Sequence, residues 1–476
     1  GFDTLGLTPY LRCESDIGNS ERFVWEQSNK NTFRDLYRTA LSANHFIVSY
    51  KKFEGDIRDR SEQVDVVIGR NGDILAWQHE IPEYRPGASL NEAEARTIAK
   101  AGLQTHLGVC IDSLETVRVS PEKRDARTDW TFIFRDAKSG LKDGDIRYIA
   151  TVSGDKLSGV KTQVHITETW ERAQKKESIL QTILYAGSRV IGFGFLLSVL
   201  IMGIVAWTKK QFNVTIFLLF LFMFIFTSLA QGALMSQVIF GQFPTSEPRA
   251  NLILTLAISL VLGAVFSGFF FGIPAGYMAR APLQVQRNEN LIALKGVGLG
   301  LLFAGVMAFA RGDFYGYGPF AVRPADIDSL SPFLSSVLNG VEGYFIMLIR
   351  LLAPVVIADR LSRGWQEKKI PALILLLLAG FMFAGKLPLI GWLAGGVAAG
   401  VFMAALYILV LRYNMIYLPM MAATALILEM LQYLLVDPAV FTIAHVLVSA
   451  AVISALGIFS VWGVYRLRLL QPKKST

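Results

Sequence analysis

The chain has 476 residues, 53% of them hydrophobic and 18% charged, with a formal net charge of +8. A composition this apolar, with a mean hydropathy of +0.42, excludes a soluble globular protein and points to membrane spans. Many of the charges flank apolar runs and no aromatic-basic module is present, which excludes nucleic acid as a partner.

The first 178 residues are polar enough for a soluble domain, since no apolar run there approaches the ~20 residues a span needs. The chain opens on Gly1, not Met, and reads as processed or truncated. "VDVVIGRNGDILAWQHEI" alternates apolar and polar residues around Asn71-Gly72, which predicts a β-hairpin. "SLNEAEARTIAKAGLQTHLG" predicts a helix with Ser89 as N-cap, Glu92 closing a capping box and Gly108 just past the end. "IRYIATVSGDKLSGVKTQVHI" repeats the hairpin pattern around Gly154-Asp155, so Gly72-Asp73 and Gly154-Asp155 occupy equivalent places in two strand–turn–strand units. That repetition hints at a duplicated helix-plus-hairpin module. An α+β head is expected over 1–178, of the kind that binds peptides or proteins more often than it catalyses.

Cys13 and Cys110 both lie in this head. They are either two free thiols or, in an oxidising compartment, a disulfide. His45, His79, His106 and His165 are scattered and read as structural or exposed. No Ser/His/Asp or Cys/His constellation and no zinc spacing is present, so neither a cofactor nor a metal is expected.

From residue 179 to 468 the chain reads as a polytopic α-helical membrane body with about nine spans. They start near Leu184, Asn213, Asn251, Leu291, Pro332, Ile370, Leu389, Asn414 and Phe441, and a basic tail follows over 469–476. Interspersed glycines suit close helix packing in lipid. One set of loops, with the C-terminus, holds Lys209, Lys210, Arg280, Arg287, Lys295, Arg360, Arg363, Lys368, Lys369, Arg412, Arg466, Arg468, Lys473 and Lys474. The other set holds Arg249, Arg311, Arg323 and Lys386. The positive-inside rule puts the rich set in the cytoplasm and, with nine spans, the head outside a plasma (inner) membrane.

"LLAPVVIADRLSRGW", Leu351 to Trp365, begins as a span and ends in charge. Its "ADRLSRG" resembles the Glu-Glu-x-x-x-Arg motif of the CPBP family (CAAX prenyl proteases and bacteriocin-processing enzymes). In that family further helices carry Phe-x-x-x-His and His-x-x-x-Asn/Asp. A subset of the family also joins a strand-rich extracytoplasmic head to a membrane body, so the resemblance covers most of the chain; the head's pattern is similar to cystatin-like and PepSY-like folds. The resemblance implies a carboxylate acting as base on a water that histidines position, with or without a metal. Carried onto this sequence as Glu-Glu-x-x-x-Arg-Gly, Arg363 and Gly364 match, Asp359 stands at the second Glu and Ala358 at the first. Gly385 or Lys386 takes the place of the second motif's His. Ala423 or Thr424 takes that of the third, with Glu429 one step out of register for its acid. The remnant catalytic positions are thus Asp359, Arg363 and Glu429, and His445 is the one histidine of the body.

Asp359 and Arg363 are four residues apart, which predicts an ion pair on one helix face. Glu342, Arg350, Arg189, Glu429 and Gln432 are expected to form a polar interior between helices, either a transport or ligand pathway or packing glue. The sequence therefore reads as a CPBP-like protein with decayed motifs, a scaffold or regulator that binds a membrane protein or peptide. Two rivals stand beside it: an active endopeptidase with a non-standard site from Asp359, Glu429 and His445, and a small transporter or lipid-binding body.

Overall fold

The computed structural model describes residues 6–15, 18–29, 31–33, 36, 41, 44–69, 72–136, 141–280, 291–312, 327–436 and 440–469, without side chains over 433–442 and 464–469. Asn71, Arg287, Arg323, Lys473 and Lys474, and the side chains of Arg466 and Arg468, lie outside the described residues. The chain divides into two compact units. The first holds Gly1–Ala173, Leu234–Ile258 and Tyr317–Pro332; the second holds the rest.

The first unit is built on one antiparallel eight-stranded sheet in the order β1-β2-β3-β4-β8-β7-β6-β5. Its strands are β1 (Thr8–Ser15), β2 (Asn44–Lys51), β3 (Gln63–Gly69), β4 (Ile74–Glu80), β5 (Leu114–Lys123), β6 (Thr128–Asp136), β7 (Asp145–Ser153) and β8 (Lys156–His165). Helix α1 (Asn19–Gln27) precedes β2–β4 and helix α2 (Glu92–Leu107) precedes β5–β8, so a helix followed by a meander occurs twice. The two meanders join where Ala76, Trp77 and Gln78 of β4 pair with Lys161, Val160 and Gly159 of β8.

Both predicted hairpins form. Gly72 has φ +88° and Gly154 φ +63°, backbone conformations that favour glycine in tight turns. The helix α2 starts two residues later than the Ser89 cap implied. Asn91 is its N-cap: its side chain accepts from the Glu94 N–H at 3.0 Å, and the Glu94 carboxylate accepts from the Asn91 N–H at 3.1 Å. "SLNE" and "NEAE" both fit a capping box. The Trp130 indole donates to the Leu90 carbonyl at 3.0 Å, which ties that residue to β6 just before the cap. Gly108 ends the helix at φ +65°, as its position predicted. The buried stripe Ala95, Ala99, Leu103 has helical spacing and packs on Trp77, Phe132, Phe134, Ala150, Val152 and Val160.

Cys13 is buried and Cys110 exposed, and the two are not joined in a disulfide. The short helix α5 (Ser236–Gln242) belongs to the same unit as the sheet. Lys51 ties it to β2 by donating to the carbonyls of Gly241 at 2.7 Å and Phe243 at 3.2 Å.

The remaining helices are α3 (Glu168–Thr208), α4 (Val214–Leu234), α6 (Arg249–Met278), α7 (Ile292–Arg311), α8 (Pro332–Ser362), α9 (Lys369–Phe381), α10 (Leu389–Leu406), α11 (Leu418–Val436) and α12 (Val440–Leu469). Among the described residues, eight helices are long and apolar enough to cross a membrane, and many of their outward side chains are large and apolar. The protein is therefore a polytopic helical membrane protein with an N-terminal α+β domain. Seven of these eight helices have starts within a few residues of the predicted ones. The exception, α3, starts at Glu168 and runs 41 residues, about 60 Å at 1.5 Å per residue. That is twice the hydrocarbon thickness, so its polar first turns ("ETWERAQKKES") extend beyond lipid.

The ninth predicted span, near Ile370, is α9, with 13 residues. At about 20 Å it is too short to cross alone. Its continuation matters: the Gly385 N–H donates to the Ala310 carbonyl at the end of α7 at 3.1 Å. The stretch from Lys369 to Gly385 thus reaches the level that the full-length helix α7 reaches at Arg311. Gly380 makes the α9–α10 contact possible, because a Cβ there would lie 2.0 Å from the Gly400 nitrogen.

Candidate functional site

The stretch "ADRLSRG", residues 358–364, begins at the C-terminal end of α8. The helix stops at Ser362 and the next turn is left-handed: φ is +46° at Arg363, +70° at Gly364 and +69° at Trp365. This break corrects the expected Asp359–Arg363 pair. Four-residue spacing brings side chains together only while the helix continues, and here Arg363 turns out to solvent and bonds Glu367 at 2.8 Å. Asp359 instead accepts from the Tyr407 hydroxyl at 2.8 Å. Tyr407 is fully buried and opens a π-helical turn, Tyr407–Leu411, at the end of α10. The Ser362 hydroxyl accepts from the Trp365 N–H at 3.0 Å and lies 3.4 Å from the Tyr407 oxygen. The Trp365 ring meets the Tyr407 ring edge-on at 5.8 Å. Arg360 lies over the Tyr277 ring at 5.0 Å. The motif end is a polar clasp between α8 and α10.

Glu429 is elsewhere. It pairs with Arg311 at 2.8 Å. Both line a cavity of about 500 Å³ in the helical unit, with Tyr185, Arg189, Arg350, Phe383, Gly385, Lys386 and Gln432 also on its wall. The expected polar interior is therefore present in part, joining Arg189, Arg350, Glu429 and Gln432. Glu342 lies apart from it: its carboxylate accepts from the Thr227 hydroxyl and is 3.5 Å from that of Ser228 on α4. The cavity also gathers Gly385, Lys386 and Glu429, three of the positions carried over from the second and third motifs, but not Asp359. Arg350 precedes Asp359 by nine residues on α8, about 13 Å along the axis.

His445 is buried beside Phe333, the ring centroids 5.8 Å apart. Phe333 and Asp359 are separated by 26 residues of one helix, roughly 35–40 Å. Asp359, Glu429 and His445 are therefore not brought to one place. Among the described residues no three His, Cys, Asp or Glu side chains group as metal ligands. The donor set does not fit a metal hydrolase centre.

Sequence reasoning missed Tyr407, Ser362 and Trp365 as partners of the motif, and Arg311 and Lys386 as wall of the cavity. The stretch "ALYILVLRY" contains Tyr407, but nothing in its pattern announces a π turn. In the head, the Glu62 carboxylate is held by both terminal nitrogens of Arg85 at 2.7 and 2.8 Å and by His79 at 3.0 Å. Burial works against its charge, but these bonds win and leave its pKa below the ordinary value. This cluster reads as structural, because it links the β3 entry, β4 and the following loop. Comparison with protein-family models, curated proteins and solved structures returns no match to this chain.

Proposed function

We propose that this chain is a CPBP-like membrane protein without protease activity, a scaffold or regulator whose head and body bind a membrane protein or peptide. The observation that carries this reading is the dispersal of the three groups a working site needs. Asp359 is engaged by Tyr407, Glu429 by Arg311, and His445 sits beside Phe333, which lies roughly 35–40 Å along α8 from Asp359. The clasp keeps the old motif as a structural joint.

A binding role for the head is supported by its sheet edge. β5 is a terminal strand, mostly exposed along its length, with Val117 41% exposed. An extended peptide can add to such an edge through main-chain hydrogen bonds; Pro121, lacking an N–H, limits pairing at the far end of the strand.

The orientation follows the charge asymmetry, with the head outside the plasma membrane and the C-terminus in the cytoplasm. It requires the α9 stretch to count as a crossing. The Gly385–Ala310 bond supports that count, since it puts the end of the stretch beside the end of α7.

The test is proteolysis by purified protein in lipid, using a panel of membrane-embedded and prenylated peptides, with Asp359→Ala alongside. No cleavage by either protein is expected. Cleavage by the wild type that Asp359→Ala abolishes would overturn the reading in favour of a non-standard endopeptidase.

A further inference from the structure

We propose that the cavity walled by Arg189, Arg311, Arg350, Lys386 and Glu429 is a binding site for a phosphate group, carried on a lipid head or free. Four cationic side chains face it against one carboxylate. Glu429 is taken by Arg311, so the charges of Arg189, Arg350 and Lys386 remain in excess.

Arg350 is the telling residue. It is the nineteenth residue of the 31-residue helix α8, about 18 Å from the helix's C-terminal end. An arginine at such depth in an apolar segment costs about 2.5–3.5 kcal/mol on insertion scales. Its contacts among the described residues do not offset that with a carboxylate of its own. One nitrogen donates to the Met382 carbonyl at 3.2 Å, and the guanidinium lies over the Phe383 ring at 5.3 Å. Arg189 and Arg311 act on it as like charges, and Glu429, which Arg311 already pairs, as the one opposite charge. One of its five donors is used by Met382, and the residue lines the cavity. Like charges gathered around a partly enclosed space repel, and an anion between them removes that repulsion.

The arrangement suits phosphate in particular. Guanidinium forks match its oxygens in pairs. A phosphate monoester carries about −1.5 to −2 at neutral pH, closer to the excess than a carboxylate. Arg350 is half-buried, whereas Arg189 and Lys386 on the same wall are exposed. Ala304, Met307, Met347 and Leu428 supply an apolar wall on which an acyl chain can lie. This site is separate from the Asp359 clasp and does not depend on whether the protein is a scaffold.

The experiment measures binding to the full chain in neutral detergent by calorimetry with inorganic phosphate. Native mass spectrometry then follows retention of lipid from nanodiscs of phosphatidylcholine with or without phosphatidic acid. Binding of at least one of the two probes is expected. Arg350→Gln and Arg189→Gln should each weaken it by about tenfold, the loss of one charge-assisted contact. Glu429→Gln, which removes the one carboxylate, should tighten it severalfold. Retention of phosphatidic acid without affinity for inorganic phosphate assigns a lipid head; affinity for inorganic phosphate in detergent assigns a free anion. The proposal is overturned if neither probe binds, or if both arginine variants stay within twofold of wild type. A loss in Glu429→Gln equal to that in Arg350→Gln would also overturn it, because packing and not charge would then be the cause.

Discussion

Removing the Tyr407 hydroxyl tests whether the motif end is a structural joint. In Tyr407→Phe the ring keeps its edge-on contact with Trp365 at 5.8 Å and loses the 2.8 Å bond to Asp359. A hydrogen bond to a charged group contributes about 1.5–3 kcal/mol. The second contact, to Ser362 at 3.4 Å, is long and adds little. The expected loss is therefore about 2 kcal/mol. Asp359→Ala should cost a similar amount or more, while Asp359→Asn keeps an acceptor and should cost under about 1 kcal/mol. Because the two residues share one interaction, the double variant should fall short of the summed losses by about 2 kcal/mol. The assay is reversible unfolding of the full chain in detergent–lipid micelles, read by tryptophan fluorescence for all four members of the cycle. A coupling near zero would refute the clasp.

Asn91→Ala breaks the capping box of α2 and should destabilise the head by about 1 kcal/mol, seen as a lower thermal midpoint. Gly380→Val forces a Cβ into the Gly400 backbone; a loss of about 3 kcal/mol is expected, read in the same micelle unfolding assay, and a neutral outcome would mean that α9 and α10 do not pack backbone to backbone. Glu62 has a depressed folded pKa, so its contribution is present above the unfolded value of about 4.3 and is lost as pH falls through the lower folded value. Acid unfolding of wild type and Glu62→Gln should accordingly differ near neutrality and converge at acid pH; curves that separate only in acid would refute the sign. Cys110 is exposed and Cys13 buried, so a membrane-impermeant maleimide added to intact cells should label Cys110 alone. Labelling only after lysis would reverse the assigned orientation.

Local patterns in the sequence were enough for much of the fold. Seven of the predicted span starts coincide with long helices, because a run of ~20 apolar residues has few other solutions. The hairpins at Gly72 and Gly154 were legible because a tight turn needs residues that tolerate positive φ. The α2 cap was legible in kind and wrong by two residues, since two overlapping boxes competed and the Trp130 bond to Leu90 comes from another strand. The Ile370 span is present as a 13-residue helix that needs its continuation to Gly385: hydropathy counts apolar residues, whereas helix length depends on the turn at Met382–Ala384 that ends α9.

The candidate site was legible only in its residue types. Sequence alone determined which proton-accepting side chains the membrane body holds: Ala358 stands beside Asp359, and His445 is the one histidine of the body. It also marked Arg350, Arg189 and Glu429 as polar groups in an apolar body. Tertiary structure decided their company. The left-handed turn at Arg363 broke the predicted pair, the π turn delivered Tyr407 to Asp359, and the end of α7 brought Arg311 to Glu429. Side-chain partners more than a few turns apart depend on where whole helices pack, and no spacing within one segment encodes that.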